Sequence, residues 1–432
     1  MLWGIVDRLS SRSFASMHDH SLRDQIVAEV HARPFQKLSG PLALCHQAIL
    51  YDGVGEDAVN RSVRDLASRR GLPLPENGEG FFFSRNERWA LRFEPHGEFY
   101  SLTLYALATT EPPAFSNEEC GQLPGAYLCG VEVICQPQIE MDLEPLLEQH
   151  FGDHQVSGSS VMGSAGQVFT DFRERADSRM SRVLVLQQPK MIDYRCGRLL
   201  QRICEIDTYR HMALLGLPMS NDVMPQVTEL DRALAETVAA IAEARREPAE
   251  LVNQLMLQAA QVEELSARSA NRLAASEAYF ALLYSRIEEL REERLEGIQT
   301  IEQFMDRRLD PARRTCRATG ERVERLSKRI ARSTELIRSQ VDLSIEGQNK
   351  DLLEGLNRRA RRQIRMQAKL ESFTVIVVTY YAFDLIDRTL RNILGDTELE
   401  RQLSLGLSLL VPLLALGLFW YLRRLLKGYD DE

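Results

Sequence analysis

A chain of 432 residues exceeds one ordinary domain and points to two or three structural units. Its net charge of -9 leaves no overall basic surface, so a nucleic-acid partner is not expected. The seven cysteines, at 45, 120, 129, 135, 196, 204 and 316, contain no CxxC pair; they signal neither a zinc knuckle nor a thioredoxin-like motif and suit buried, reduced thiols.

The first seventeen residues, MLWGIVDRLSSRSFASM, lack the apolar run behind a basic start that a secretory signal needs, which keeps the expected body in the cytosol. HSLRDQIVAEVHARP then sets Leu22, Ile26 and Val30 on one helical face, and Pro34 bars the helix from continuing. Glu29, His31 and Arg33 at its end form a candidate ligand site, because His31 and Arg33 would meet the negative end of the helix dipole or an acidic ligand. Capping and salt bridges explain them equally well.

LALCHQAILY, RWALRFE, GEFYSLTLYAL, AYLCGVEVICQ, GQVFTDF and SRVLVLQ carry the β-branched, aromatic and alternating apolar positions of half-buried strands. DAVNRSVRDLASRRG and the segment from Asp142 to His150 read as short helices between them. Few strand pairs are joined by a regular crossover helix, so a mixed or antiparallel sheet is expected. Arg92, Glu94, His96 and Glu98 recur at every second residue, the spacing of one strand face and of a carboxylate and imidazole metal site. Pro95 and Gly97 interrupt that strand, and a turn with surface charges is the preferred reading. VSGSSVMGSAGQ has no P-loop lysine and no GxGxxG spacing; a flexible loop leading into a strand is expected there. No nucleophile and base motif is present, so no enzyme and no cofactor is signalled.

From Asp193 the pattern turns helical, with Leu199, Ile203, Ile206, Met212 and Leu215 near one face until Pro218. Residues 221–372 are rich in Arg, Glu, Leu, Ala and Gln. Two heptad seams run through Val252, Leu255, Val262, Leu273, Phe280 and Leu290, and then through Val323, Leu326, Ile330, Ile337, Val341, Ile345 and Leu352. Asp310 and Pro311 suit a helix N-cap and first position, so two helices of about 90 Å should meet near Leu309 as an antiparallel hairpin.

SLGLSLLVPLLALGLFWYL, from Ser404, is uncharged over nearly the ~20 residues that a bilayer core requires, with Trp420 and Tyr421 at an interfacial position. FTVIVVTYYAFDLIDRTLRNI, from Phe373, is apolar and then carries Asp384 and Asp387, each costing about 3 kcal/mol at a helix centre and each a functional candidate inside a membrane. Basic residues precede it (Arg358, Arg359, Arg361, Arg362, Arg365, Lys369) and follow the second run (Arg423, Arg424, Lys427); such flanks stay cytoplasmic and favour two crossings over an interfacial first segment with one, and the upstream cluster suits contact with anionic lipid or a solvated helix face.

LRDQIVAEVHARP, RFEPHGEF, TDFRERAD, GRLLQRICEIDTYRHMALLGLP, ELREERLEGIQTIEQFMDRRLDPARRTC, RSQVDLSIEGQNKDLLEGLNRRA and VIVVTYYAFDLI together resemble a bacterial family of uncharacterised proteins, domain of unknown function 3422. The resemblance implies a membrane-anchored, non-secreted protein and brings no activity. The layout alone is similar to CorA-type magnesium channels, but DLIDRTLRNILGD stands where their Gly-Met-Asn filter would be.

The resulting expectation is an α+β fold: a cytoplasmic sheet-and-helix domain (1–220), a long helical coiled-coil hairpin (221–372), and a transmembrane hairpin made of a first segment (373–394), an external loop (395–402) and a second span (403–422), with a cytoplasmic tail (423–432) at a bacterial inner membrane. The expected function is a non-enzymatic scaffold that touches membrane lipid and an unidentified protein partner and forms a homo-oligomer through its coiled coil. Its rivals are a CorA-like channel lined by Asp384 and Asp387, and a membrane-tethered enzyme using the His31 and His96 regions.

Overall fold

The structure is a computed structural model, and it describes residues 20–23, 26–27, 35–38, 40–74, 80–138, 142–243, 247–394 and scattered positions between 402 and 421. Glu29, His31, Arg33, Arg423, Arg424 and Lys427 lie outside the described residues, as do most of the expected second span and its flanking loop.

In chain order the elements are β1 (Leu42–Leu50), α1 (Glu56–Arg69), β2 (Phe82–Arg85), β3 (Trp89–Pro95), β4 (Phe99–Leu107), α2 (Asn117–Gln122), β5 (Ala126–Pro137), α3 (Leu143–Phe151), β6 (Ser157–Val161), β7 (Gly166–Glu174), β8 (Ser181–Gln187), α4 (Asp193–Leu214), α5 (Gly216–Ala242), α6 (Pro248–Leu290), β9 (Glu293–Arg294) and α7 (Ile301–Leu394). Their contacts define two units: Met1–Glu243 with Asn253–Arg332, and Ala244–Val252 with Ser333–Glu432.

In the first unit one nine-stranded sheet runs β2-β3-β4-β1-β5-β8-β7-β6-β9. Among the described strands only β5 and β8 pair in parallel, and Ser157 of β6 makes an isolated parallel bridge with Gln299. Each half of the strand order is a β-α-β-β-β run, and β1 and β5, the first strand of each run, meet at the centre. Alternation along the strands sends side chains to two covered faces. Leu91, Phe93, Leu102 and Leu104 pack under α1 through Val59, Val63 and Leu66, while Ile134, Phe169 and Leu184 pack under α3 through Leu146 and Phe151. The opposite face carries Leu42, Leu44, Val131, Val133, Val183 and Val185, covered by α4 and by apolar residues of α6 and α7.

β6 corrects the flexible-loop reading of VSGSSVMGSAGQ. Its five residues are all buried, and they pair with β7 across a tight turn. Glycine is required at 158 because a Cβ there would stand 2.4 Å from the Phe169 ring. Small side chains let this strand lie against its neighbour without an apolar signature.

The helical hairpin turns earlier than Asp310-Pro311 suggests. Glu292 accepts the backbone N–H groups of Ile301 (3.0 Å) and Glu302 (2.8 Å), and Thr300 Oγ1 accepts that of Gln303 (3.2 Å), so the first orphan donors of α7 are satisfied ten residues before Pro311. Pro311 is then interior to the helix. Within the first unit α6 and α7 run antiparallel, with Arg313 on Glu277 at 2.7 Å, and α5 joins them through Arg268 on Asp222 at 2.8 Å. Leu273, Phe280, Val323, Leu326 and Ile330 of the expected seams are buried.

The expected transmembrane hairpin is corrected. No helix among the described residues is long and apolar enough to cross a membrane. Phe373 and its successors are the last turns of α7, and only twelve charge-free residues separate Glu371 from Asp384, against the ~20 that a crossing needs. The described helices therefore do not support the expected membrane anchor, the inner-membrane localisation or an intramembrane place for Asp384 and Asp387. These two acids instead pair along the helix, Asp384 with Arg388 at 3.1 Å and Asp387 with Arg391 at 2.8 Å.

Candidate functional site

Alternation along β3 turns Arg92 and Glu94 away from the apolar α1 layer and toward α4. There they are buried, with only 2 % and 7 % exposure, and join at 2.7 Å. Burial alone would raise the Glu94 carboxyl; the charge and hydrogen bond of Arg92 outweigh it and hold it below the ordinary carboxylate range. The Arg92 guanidinium also lies over the Phe81 ring at 5.2 Å.

His46 stands two strands away on β1, opposite Thr103. Its Nδ1 is 2.8 Å from Thr103 Oγ1 and its Nε2 is 2.9 Å from Thr208 Oγ1 of α4, so one imidazole ties two strands to the helix above them. Burial drives its pKa down from 6.5 to about 4, which leaves the ring neutral with one donor and one acceptor nitrogen for the two hydroxyls. His96 follows the end of β3, stacks on Phe99 at 4.3 Å, and completes the wall with Ser101, Tyr105 and Cys204.

Three of the four alternating candidates, Arg92, Glu94 and His96, thus line one cavity. Glu98 does not; it pairs with Arg272 of α6 at 3.1 Å. Pro95 and Gly97 do make the expected turn, yet Arg92 and Glu94 are interior and not surface charges. The cavity encloses about 20 Å³, room for one water molecule and not for a substrate. The arrangement therefore fastens α4 to the sheet. A larger, open groove of about 720 Å³ lies at the surface beside α3, bordered by Glu144, Glu148, Asp153, His154 and Glu296.

Nothing in the spacing of the motifs pointed to His46, Thr103 or Thr208. The usable signal was the His46-Gln47 pair in the middle of the otherwise apolar run LALCHQAILY. A second cluster was also missed: Cys129 on β5 with Asp207 and His211 on α4. Asp207 and His211 are four apart in EIDTYRH, the spacing that places two side chains on one helical face. Burial, followed by the charge of Asp207, pushes the Cys129 thiol well up, while burial and then Arg210 lower His211.

The basic cluster Arg358, Arg359, Arg361, Arg362, Arg365 and Lys369 is exposed along α7. Arg358 lies 3.8 Å from Glu354.

These features define an α+β protein with a mixed nine-stranded sheet, a polar network under its closing helix, and a long C-terminal helix. The chain belongs to the family described as protein of unknown function (DUF3422), whose model matches residues 18–428. No curated protein matches it.

Proposed function

We propose that the chain is a non-enzymatic scaffold that pairs with a second copy of itself through residues 334–372 of α7. The observation that carries this reading is the exposure of large apolar side chains at helical spacing. Leu353, Leu356 and Leu370 are 65 %, 51 % and 63 % exposed, on the helix whose earlier seam residues are buried. Exposed large apolar side chains repeated along one helix mark an interaction surface. The polar network of the body supports a holding role, since its room suits a water.

Charge supports a second copy laid antiparallel. Residues 334–356 hold Glu335, Asp342, Glu346, Asp351 and Glu354 against Arg338 and Lys350, whereas residues 357–372 hold the six bases of the cluster against Glu371. Antiparallel pairing sets the acidic half against the basic half, and parallel pairing sets like against like.

Light scattering of the full chain over a range of concentrations tests the proposal. A dimer is expected, reduced to a monomer by Leu353→Asp with Leu356→Asp. Leu353→Cys, near the centre of the segment, should cross-link between copies, and Leu370→Cys, near its end, should not. A monomer at every concentration, or a dimer indifferent to the aspartates, overturns the reading.

A further inference from the structure

The Cys129 thiol, the Asp207 carboxylate and the His211 imidazole each offer one ligand atom, and the three atoms stand within 4.8 Å of one another. Ligands at zinc distances on a tetrahedral ion stand roughly 3.3 to 3.8 Å apart, so side-chain adjustments of about an ångström would close the set. Two ligands come from a single turn of α4 and the third from a strand beneath it. Bulges commonly re-aim a side chain at a functional position, and β5 has one here: Ala48 faces Cys129 and Ile49 faces Tyr127, with Leu128 the extra residue.

Asp207 supplies an independent observation. Its Oδ1 accepts from Ser181 Oγ at 2.9 Å and from the Arg210 guanidinium at 2.7 and 3.0 Å. Its Oδ2 is buried, 3.9 Å from His211 Nδ1, with no hydrogen-bond partner among the described residues. A buried carboxylate oxygen is not ordinarily left unmatched. Arg210 and Ser181 hold the carboxylate by one oxygen and leave the other unmatched on the side of His211.

His211 Nδ1 lies 2.7 Å from the Asp207 backbone carbonyl and 3.9 Å from Asp207 Oδ2. Since a carbonyl only accepts, Nδ1 carries the proton in the metal-free chain and Nε2 keeps the lone pair that a cation would take after the ring adjusts. Glu174 places a further negative charge toward both Cys129 and His211, partly offsetting Arg210.

We propose that Cys129, Asp207 and His211 bind one borderline-soft divalent cation, Zn²⁺ by preference, with the fourth coordination position left to solvent. One sulfur, one imidazole nitrogen and one carboxylate oxygen suit Zn²⁺ and Co²⁺ better than the all-oxygen shells of Mg²⁺ or Ca²⁺. On binding, the Cys129 S–H bond breaks, its proton passes to solvent, and the sulfur electron pair is donated to the metal with no change in oxidation state. The bound ion would fasten α4 to the centre of the sheet.

The test is an anaerobic titration of the chelator-treated full chain with Co²⁺. The expected result is one equivalent bound, a sulfur-to-cobalt charge-transfer band in the near ultraviolet, and loss of that band on adding Zn²⁺. Cys129→Ser should remove the band, while Cys120→Ser, at an exposed thiol, should leave it. His211→Ala should weaken binding by more than the ~10- to 100-fold typical of losing an outer partner. Zn²⁺ should also raise the thermal midpoint of the native chain and not that of Cys129→Ser. If Cys129→Ser does not fold, the native titration and His211→Ala decide. Absence of the band in the native chain overturns the site, as does a band that survives His211→Ala with unchanged affinity.

Discussion

Two stretches of α7 share one helical pattern and differ in what covers it. In residues 301–332, Met305, Leu309, Val323, Leu326 and Ile330 are buried in the first unit, where α5 and α6 also pack. In residues 334–372, Leu343, Leu353, Leu356, Ile364 and Leu370 are exposed. A heptad seam states that a helix needs a partner without stating where the partner comes from. The first stretch finds it within the chain, as Ile337 still does at 1 % exposure, and the proposed role of the second follows from the lack of such cover from Leu343 onward.

The largest expected effect tests the covered stretch. Leu326→Ala removes a side chain that is 2 % exposed and should cost about 2–5 kcal/mol of unfolding free energy, from lost apolar burial plus the cavity left behind. Urea denaturation of the full chain, followed by far-ultraviolet circular dichroism, reads it as a lower midpoint at constant slope. A loss below about 1 kcal/mol would mean that this seam does not hold the body together, and the contrast between the two stretches would collapse.

Next in size is a pH effect confined to the body. His46 has a folded pKa of about 4 against 6.5 when exposed. Below pH 6.5 the unfolded chain takes up a proton that the folded chain refuses, so stability is full above 6.5 and falls as pH drops toward 4, by roughly 3 kcal/mol for this group. His150 and His211, also lowered chiefly by burial, add to the same slope. Urea midpoints between pH 7 and 4.5 should fall for the native chain and fall less for His46→Gln. An equal slope in both would remove His46 from the network described for it. Residues 334–372 contain no histidine, so helical signal from that stretch should not follow this titration.

Much of the fold was legible because most strands carry their apolar alternation openly: LALCHQAILY became β1 and SRVLVLQ became β8. β6 was not legible, since close approach to Phe169 selects glycine and serine, residues that otherwise mark loops. The turn before α7 was misplaced for a related reason. Pro311 is a strong local signal for a helix start, but the carboxylate of Glu292 and the hydroxyl of Thr300 start the helix sooner, and those residues resemble any surface acid and threonine. At the site, period two picked out Arg92, Glu94 and His96 on a common face. It could not reveal that α4 covers that face, and so surface charges were expected where a buried ion pair stands. Cys129 was beyond reach, because its neighbours Asp207 and His211 lie some eighty residues along the chain.

The smallest effect is the sharpest test of the comparison. Leu356 is as large as Leu326 but half exposed, and alanine has nearly the same helix propensity as leucine, so Leu356→Ala should change stability by less than about 0.5 kcal/mol in a sample dilute enough to be monomeric. At higher concentration the same substitution should weaken association, because each copy then loses apolar area that the pairing would cover. Sedimentation velocity and urea denaturation on one preparation separate the two quantities. If Leu356→Ala cost as much as Leu326→Ala under monomeric conditions, the side chain would be covered by its own chain in solution, and the second stretch would need no other copy.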